Sequence, residues 1–333
     1  MKNTASLLAA AAGLALALPA RAHHGVATVS VAGPEGPGAA LETTSPLPLP
    51  ERTLFAMVKS EYVPFQRYGF ADPTNKDYAL FSMAAIGYGI RPWLSLYAFQ
   101  PFNVKAQDGI GRNAAPGDTN LMLSLAFKYD GGLQLIPEKE SLDDLMDWHF
   151  STWVASTVPL GPTQHVDRNG APFAPDMQIG FGGPSATLGV AAMKQVTADL
   201  TWLADANYQY FFPHDYGFTR YQFGGETRLD TAVVYRVYGK KALRVDVSGE
   251  LNGLYLQRDR SRNDAGVMEP ATASGGAILY AGLGLRAYYG RFSASLGIRR
   301  AALKSLNEQA LQQGSEGLEK FRAAFTLSAS MSL

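Results

Sequence analysis

The chain has 333 residues, no cysteine, and equal numbers of acidic and basic side chains, so disulfides and thiolate metal sites are excluded and no basic excess marks it for nucleic acid. Charged residues make up 17%, below the roughly 25% usual in soluble domains, while 34 glycines, 16 tyrosines and 17 phenylalanines favour strands and turns over helices. Beyond the first 22 residues no apolar run approaches the roughly 20 residues a membrane-crossing helix needs, so any membrane role must use strands.

The chain opens as an export signal over 1–22, with Met1-Lys2 as a positive start, an apolar stretch from Leu7 to Leu18, and Ala20-Arg21-Ala22 as a small-residue cleavage site. Cleavage would leave His23 first, and losing Lys2 and Arg21 would leave 27 basic side chains against 29 acidic. Residues 23–50 are rich in Gly, Pro, Ser and Thr without sustained periodicity, which predicts an extended, flexible arm. At a new N-terminus, His23 and His24 would combine an α-amine, two imidazoles and a peptide nitrogen, a set suited to Cu(II). The competing reading is two incidental histidines on a flexible arm. No other cofactor is expected.

From residue 51 to 333 the pattern becomes two-fold alternation. The expected strands are 53–63, 77–89, 92–102, 119–130, 147–158, 182–193, 198–211, 225–238, 242–256, 276–289, 291–302 and 319–333. In the last, Phe321, Ala323, Phe325, Leu327, Ala329, Met331 and Leu333 share one face, and Arg322, Thr326, Ser328, Ser330 and Ser332 the other. Connections alternate between long, as at Pro64–Lys76 and Pro159–Phe181, and short, as at Ile90-Arg91 and Gly239–Lys241. One breaks the rule: Gly131–Met146 is long where a short turn is expected, and its EKESLDDLMD stretch predicts a helical turn at the periplasmic rim. ALKSLNEQALQQ (302–313) has helical spacing and predicts a short helix in an outer loop. An even strand number, strand lengths near the roughly 9–11 residues that cross a membrane at a tilt, and alternating loops predict an all-β fold, a transmembrane antiparallel β-barrel of about 12 strands. A soluble β-sandwich would share the alternation and explains the strand and loop lengths less well.

If the apolar faces meet lipid, Arg228, Asp230, Arg236, Arg244, Asp246, Glu250, Arg286, Arg299 and Arg322 line the interior, with Asp199, Asp205 and Asn207, and the 23–50 arm is free to enter that lumen and narrow it. A three-residue turn at Gly239–Lys241 would set Arg236 opposite Arg244 and Asp230 opposite Glu250, and such like-charge pairs require a wet lumen. A parity switch between 276–289 and 291–302 predicts a two-residue turn at Tyr289-Gly290. Trp93, Trp148, Tyr208, Tyr210, Tyr288 and Tyr289 sit where interfacial aromatic girdles are expected. No G-x-S-x-G nucleophile motif occurs, and no enzyme activity is expected.

The stretches GYGIRPWLSLYAFQPF (87–102), PGDTNLMLSLAFKY (116–129) and STVPLG (156–161) resemble, in order and spacing, the strand and turn motifs of the outer-membrane family named for the MetA pathway of phenol degradation. That resemblance implies an outer-membrane barrel helping small, often hydrophobic or aromatic compounds to cross. The partners expected are the lipid bilayer, a small solute and the outer-membrane assembly machinery, in a Gram-negative bacterium. The terminal Leu333, where an aromatic is common, and the HHG start depart from the family pattern. The alternative to a channel is a copper-related metal-binding protein using His23 and His24.

Overall fold

A computed structural model describes residues 36–66, 76–141, 143–240, 242–307 and 318–333. The expected signal segment, the first part of the arm and His23-His24 lie outside these residues.

Twelve long antiparallel strands form the barrel: β1 (Thr53–Pro64), β2 (Lys76–Arg91), β3 (Leu94–Gln107), β4 (Thr119–Tyr129), β5 (Trp148–Val158), β6 (Ser185–Gln195), β7 (Leu200–Phe211), β8 (Glu226–Lys240), β9 (Leu243–Leu256), β10 (Gly276–Tyr289), β11 (Phe292–Leu306) and β12 (Arg322–Ser332). Each pairs with its sequence neighbours, and β1 closes on β12 in register from Thr53↔Ser332 to Tyr62↔Ala323. Closure removes the sheet edge, which lipid would otherwise meet as unpaired backbone. Strands run from 11 to 16 residues, long enough to cross a hydrocarbon core at a tilt.

The outward face is apolar, with Val58, Ile86, Leu123, Leu188, Leu229, Leu283 and Ile298 exposed on strands around the barrel, as a lipid-facing wall requires. The tight connections lie at the end where Leu333 donates its amide to the Arg52 carbonyl. Loops at the other end are longer and carry small hairpins: Gly111–Pro116 pairs with the top of β3, and Arg220–Gln222 pairs with Arg260–Arg262. On the closed end, residues 130–147 make the expected exception, a strand Leu133–Leu135 against β4 and a 3₁₀ turn at Asp144–Met146.

Four expectations need correction. The β8–β9 turn is shorter than three residues, because a bulge at Val237 pulls Gly239 and Lys240 into the ladder opposite Arg244 and Leu243. That slip places Arg236 opposite Asp246, Asp230 opposite Asn252 and Glu250 opposite Ala232, so the like-charge pairs predicted there do not form. The β10–β11 turn has two residues as expected, but they are Gly290-Arg291, with Tyr289 paired to Phe292 and Gly290 at φ +55°. In the outer helix predicted over 302–313, Leu303 and Leu306 instead continue β11, paired with Leu279 and Gly276, because ladder hydrogen bonds outweigh local helical spacing. Its remainder, 308–313, lies outside the described residues. Tyr288 does not join a girdle: it shares the inward parity of Arg286 and is buried.

An arginine at a lipid midplane costs about 2–4 kcal/mol, whereas an exposed position in water tolerates it within about 0.5 kcal/mol. Leu283 is mid-strand, outward and 70% exposed. Leu283→Arg is therefore expected to lower folding stability in lipid vesicles by about 2–4 kcal/mol, read by denaturant titration; a near-neutral result would contradict the lipid-facing assignment.

Candidate functional site

The interior has two unlike walls. On β1 to β6 the inward residues are largely apolar: Phe55, Met57, Ala85, Tyr97, Phe99, Met122, Trp153 and Ala191 form one cluster. On β7 to β12 they are charged: Asp205, Asp230, Arg244, Asp246, Glu250, Arg286, Arg299 and Arg322 are buried, Arg228 is partly buried, and Arg236 sits half-buried near the rim. The interior position predicted for these arginines and carboxylates is therefore where the structure puts them, except that Asp199 lies in the β7 approach and is half exposed.

What the structure adds is the arm. Residues 36–50, expected to be flexible, are threaded into the barrel and mostly buried. Gly36 sits at the closed end, where its carbonyl accepts from Arg244 (2.7 Å) and Arg236 (3.0 Å). The chain rises past Gly38, whose amide donates to Thr201 Oγ1 at 2.9 Å, and Ala40, whose carbonyl accepts from Arg286 at 2.9 Å. At the apex, Leu41, Glu42 and Thr43 direct their amides at Glu250, and Thr44 donates to Asp205 at 2.7 Å. The descending limb packs Leu47 near Met193 and Leu203, seats Leu49 among Phe55, Tyr97 and Phe99, and returns to β1.

Much of the charged wall is thus paired. Glu42 pairs with Lys59 (2.8 Å) and Arg299 (3.5 Å); Glu61 bridges Arg299 (3.0 Å) and Arg322 (2.9 Å); Glu319 binds Arg322 and accepts from the Tyr280 hydroxyl at 2.9 Å. Arg299 and Arg322 are direct cross-strand neighbours, and the Tyr280 ring lies beneath both guanidiniums at 5.3 and 5.4 Å. Arg244 donates to Asp246 at 2.7 Å, and Tyr288 lies 5.2 Å from its guanidinium. Sequence reasoning required water to relieve this charge; ion pairs and arm carbonyls relieve much of it instead.

Above the arm apex lies a cavity of about 110 Å³. One side is Phe81, Met83, Phe99, Met122 and Trp153; the facing side is polar, with Thr44, Asn207 and Arg228. Loop 159–184 folds over its mouth, placing Ile179 and Phe181 on the lining. That loop is held by its backbone: Lys105 Nζ donates to the carbonyls of Asp176 (2.6 Å) and Gln178 (2.7 Å), and Asp118 accepts the amides of Gly161 (2.7 Å) and Phe181 (2.6 Å). Burial pushes the Asp118 carboxyl up despite those two amides, which hold it down. Beside it, Phe181, Phe211, Tyr216, Tyr221 and Phe223 form an aromatic cap, and burial pushes the Tyr221 phenol well up while its hydroxyl donates to Asp259 at 2.6 Å.

Arg228 and Asn207 were expected on the interior; the apolar cavity residues were missed in the sequence, although a signal was present. LFAMV (54–58) and LMLSLAF (121–127) are apolar on both faces, which a lipid-facing strand with a wet inner side does not need. Among the described residues the histidines do not converge: His149 is buried, 2.9 Å from Glu140, and His165 meets Asn113 in the outer loops. Asp130, Asp144 and Asp147 bring carboxylates within 4.8 Å of one another. Lys128 already lies 2.5 Å from Asp144 and 3.9 Å from Asp147, and its hydrogen bond holds the Asp144 carboxyl below the usual range.

No protein-family model and no curated protein matches the chain, so the resemblance to the phenol-degradation family is not confirmed by any match. Among solved structures, the chain is similar to an outer membrane channel from Pseudomonas putida F1 at 11% identity and TM-score 0.63, covering 88% of this chain and 100% of that one. The NanC porin (10%, TM-score 0.42, 84% of this chain and 100% of that one) and the TodX deltaS2S3 mutant monoaromatic hydrocarbon channel (10%, 0.42, 86% and 91%) also align. The likeness to the first establishes the fold as that of outer-membrane β-barrels. Nothing among the described residues or the comparisons supports the metal-binding alternative.

The chain lacks cysteine, so one introduced thiol reports on the arm. Ala40→Cys, at a fully buried position, is expected to react with a water-soluble maleimide more than about tenfold slower than Leu160→Cys on the exposed loop. Adding Arg244→Ala and Arg286→Ala, which removes donors to the Gly36 and Ala40 carbonyls, is expected to narrow that gap.

Proposed function

We propose that this protein is a channel of the Gram-negative outer membrane that passes small solutes of hydrophobic or aromatic character, and that residues 36–50 close it from the periplasmic side. The observation carrying this reading is the cavity above the arm: a space of about 110 Å³ inside the barrel, with an aromatic and thioether wall facing a polar one and the arm apex Thr44 as its floor.

The chemistry follows from that division. A planar apolar solute loses its hydration shell against Trp153, Phe99, Met83 and Met122, while Asn207, Gln209 and Thr157 across the cavity offer hydrogen bonds to a hydroxyl or carbonyl substituent. The barrel encloses a narrower space than the 16–18-stranded general porins, which favours selection over bulk flow. Arg228, Asp230, Arg236, Arg244, Asp246, Glu250, Arg286, Arg299 and Arg322 line the lumen; Arg236, Arg244, Glu250, Arg286 and Arg299 among them hold the arm, and the set becomes the polar conduit when it leaves. The bilayer surrounds the outer wall, and the outer-membrane assembly machinery inserts it. No enzymatic role is proposed.

Purified protein in planar bilayers is expected to conduct weakly, and a chain lacking residues 23–50 strongly. A correctly folded, truncated barrel that stays electrically silent would overturn the channel reading. Trp153→Ala in that truncated barrel is expected to weaken binding of benzyl alcohol about fivefold by calorimetry, the loss of roughly 1 kcal/mol of ring contact.

A further inference from the structure

The arm is gripped at one point chiefly by its backbone. Leu41, Glu42 and Thr43 aim three successive N–H groups at the Glu250 carboxylate, at 2.6, 3.0 and 3.1 Å, and the Thr43 hydroxyl adds a fourth donor at 3.3 Å. Converging backbone amides form an anion-binding concavity. Here the anion is a side chain of the barrel wall, steadied by the Ser248 hydroxyl at 3.3 Å.

Beside it the wall is cut to receive Leu41. Gly284 of β10 and Gly297 of β11 are paired across the strands, and a Cβ on either would come within 2.4 and 2.0 Å of Leu41 Cδ1. Two glycines side by side therefore make a socket that any larger residue would fill. Both limbs of the arm run from the closed end, Gly36 at Arg244 and Pro50 against Gly89, so the apex can leave only toward that end.

We propose that the amides of Leu41, Glu42 and Thr43 form a carboxylate-binding site whose occupancy by Glu250 latches the arm in the lumen, and that small free carboxylates can occupy it in place of that side chain. This rests on the channel reading above. The donors are backbone groups, so the site recognises the two-oxygen planar anion and not the remainder of the molecule. Glu250 is then an internal ligand. Its loss unlatches the arm and leaves a space of matching shape for formate or acetate.

The test uses the mature chain in planar bilayers, with correct folding checked by heat-shifted electrophoretic mobility. Glu250→Ala is expected to raise the open probability roughly tenfold or more, since several charge-assisted hydrogen bonds are lost. Tens of millimolar formate is expected to return it toward the parent value, while chloride at equal ionic strength does not. Gly297→Val keeps Glu250 but fills the Leu41 socket, and is expected to open the channel without a response to formate. If Glu250→Ala stays closed while the chain lacking residues 23–50 conducts, the latch is wrong. If formate and chloride act alike on Glu250→Ala, the carboxylate site is wrong. Silence of the truncated chain as well would overturn the channel reading itself.

Discussion

In hydrocarbon a backbone N–H or C=O without a partner costs several kcal/mol, and no water is present to supply one. The pairing of β1 with β12 answers that constraint, because it turns the sheet into a wall without an edge. Once the wall is closed, each strand has one face toward lipid and one toward an enclosed lumen, so the charged side chains in the middle of the strands point inward. The lumen then inherits a concentration of charge that no soluble domain of this size would place in its interior. Arg299 beside Arg322, and Asp205 beside Asp230, are direct results of that geometry.

The arm is the answer to the second problem. Its backbone offers what a side-chain lining lacks: carbonyls for arginines and amides for carboxylates, placed where each is needed within one short segment. Gly36 and Ala40 supply carbonyls to Arg236, Arg244 and Arg286, and the apex supplies amides to Glu250 and Asp205. The composition of 36–50 suits both walls. Glu42 enters the charged side between Lys59 and Arg299, while Leu49 joins the aromatic side. Gly38, against Val234, gives room that a side chain would take away.

Much of the wall was legible in the sequence, and for a physical reason. A period of two, imposed by lipid on one face, is a strong signal, and it located all twelve strands, the loop alternation and the inward parity of Arg228 through Arg322. Register was less legible, since the bulge at Val237 leaves outward apolar residues on both sides of the slip and so no trace in the pattern. Tyr288 shows a related limit: an aromatic near a strand end reads as a girdle residue, yet its parity with Arg286 settles its direction. The arm was the least legible. Its Gly and Pro content describes a chain without regular structure, which is correct for 36–50, but irregular backbone and flexible backbone look alike until the partners are seen. Several of those partners lie more than 160 residues away in sequence, as with Thr44 and Asp205 or Leu41 and Glu250, beyond the reach of any local pattern.

The energetics of the filled lumen bear on whether the arm is a permanent core or a removable one. Replacing buried ion pairs by well-packed apolar residues is often neutral or stabilising, so a barrel needing only a solid interior would gain little from arginines and glutamates. Charged walls carry a different property: they can be satisfied by an arm or by water, at similar free energy, because both supply donors and acceptors. An apolar core has no such second state, since wetting it costs about 25 cal/mol per Å². The lower lumen, where β7 to β12 meet the arm, is built of side chains that tolerate either partner. The upper lumen, with Phe81, Phe99, Met122 and Trp153 on one side, is where the proposed function seats an apolar occupant. A molecule with these two compartments in series, joined at Thr44, has the two environments through which an amphipathic solute would pass in turn.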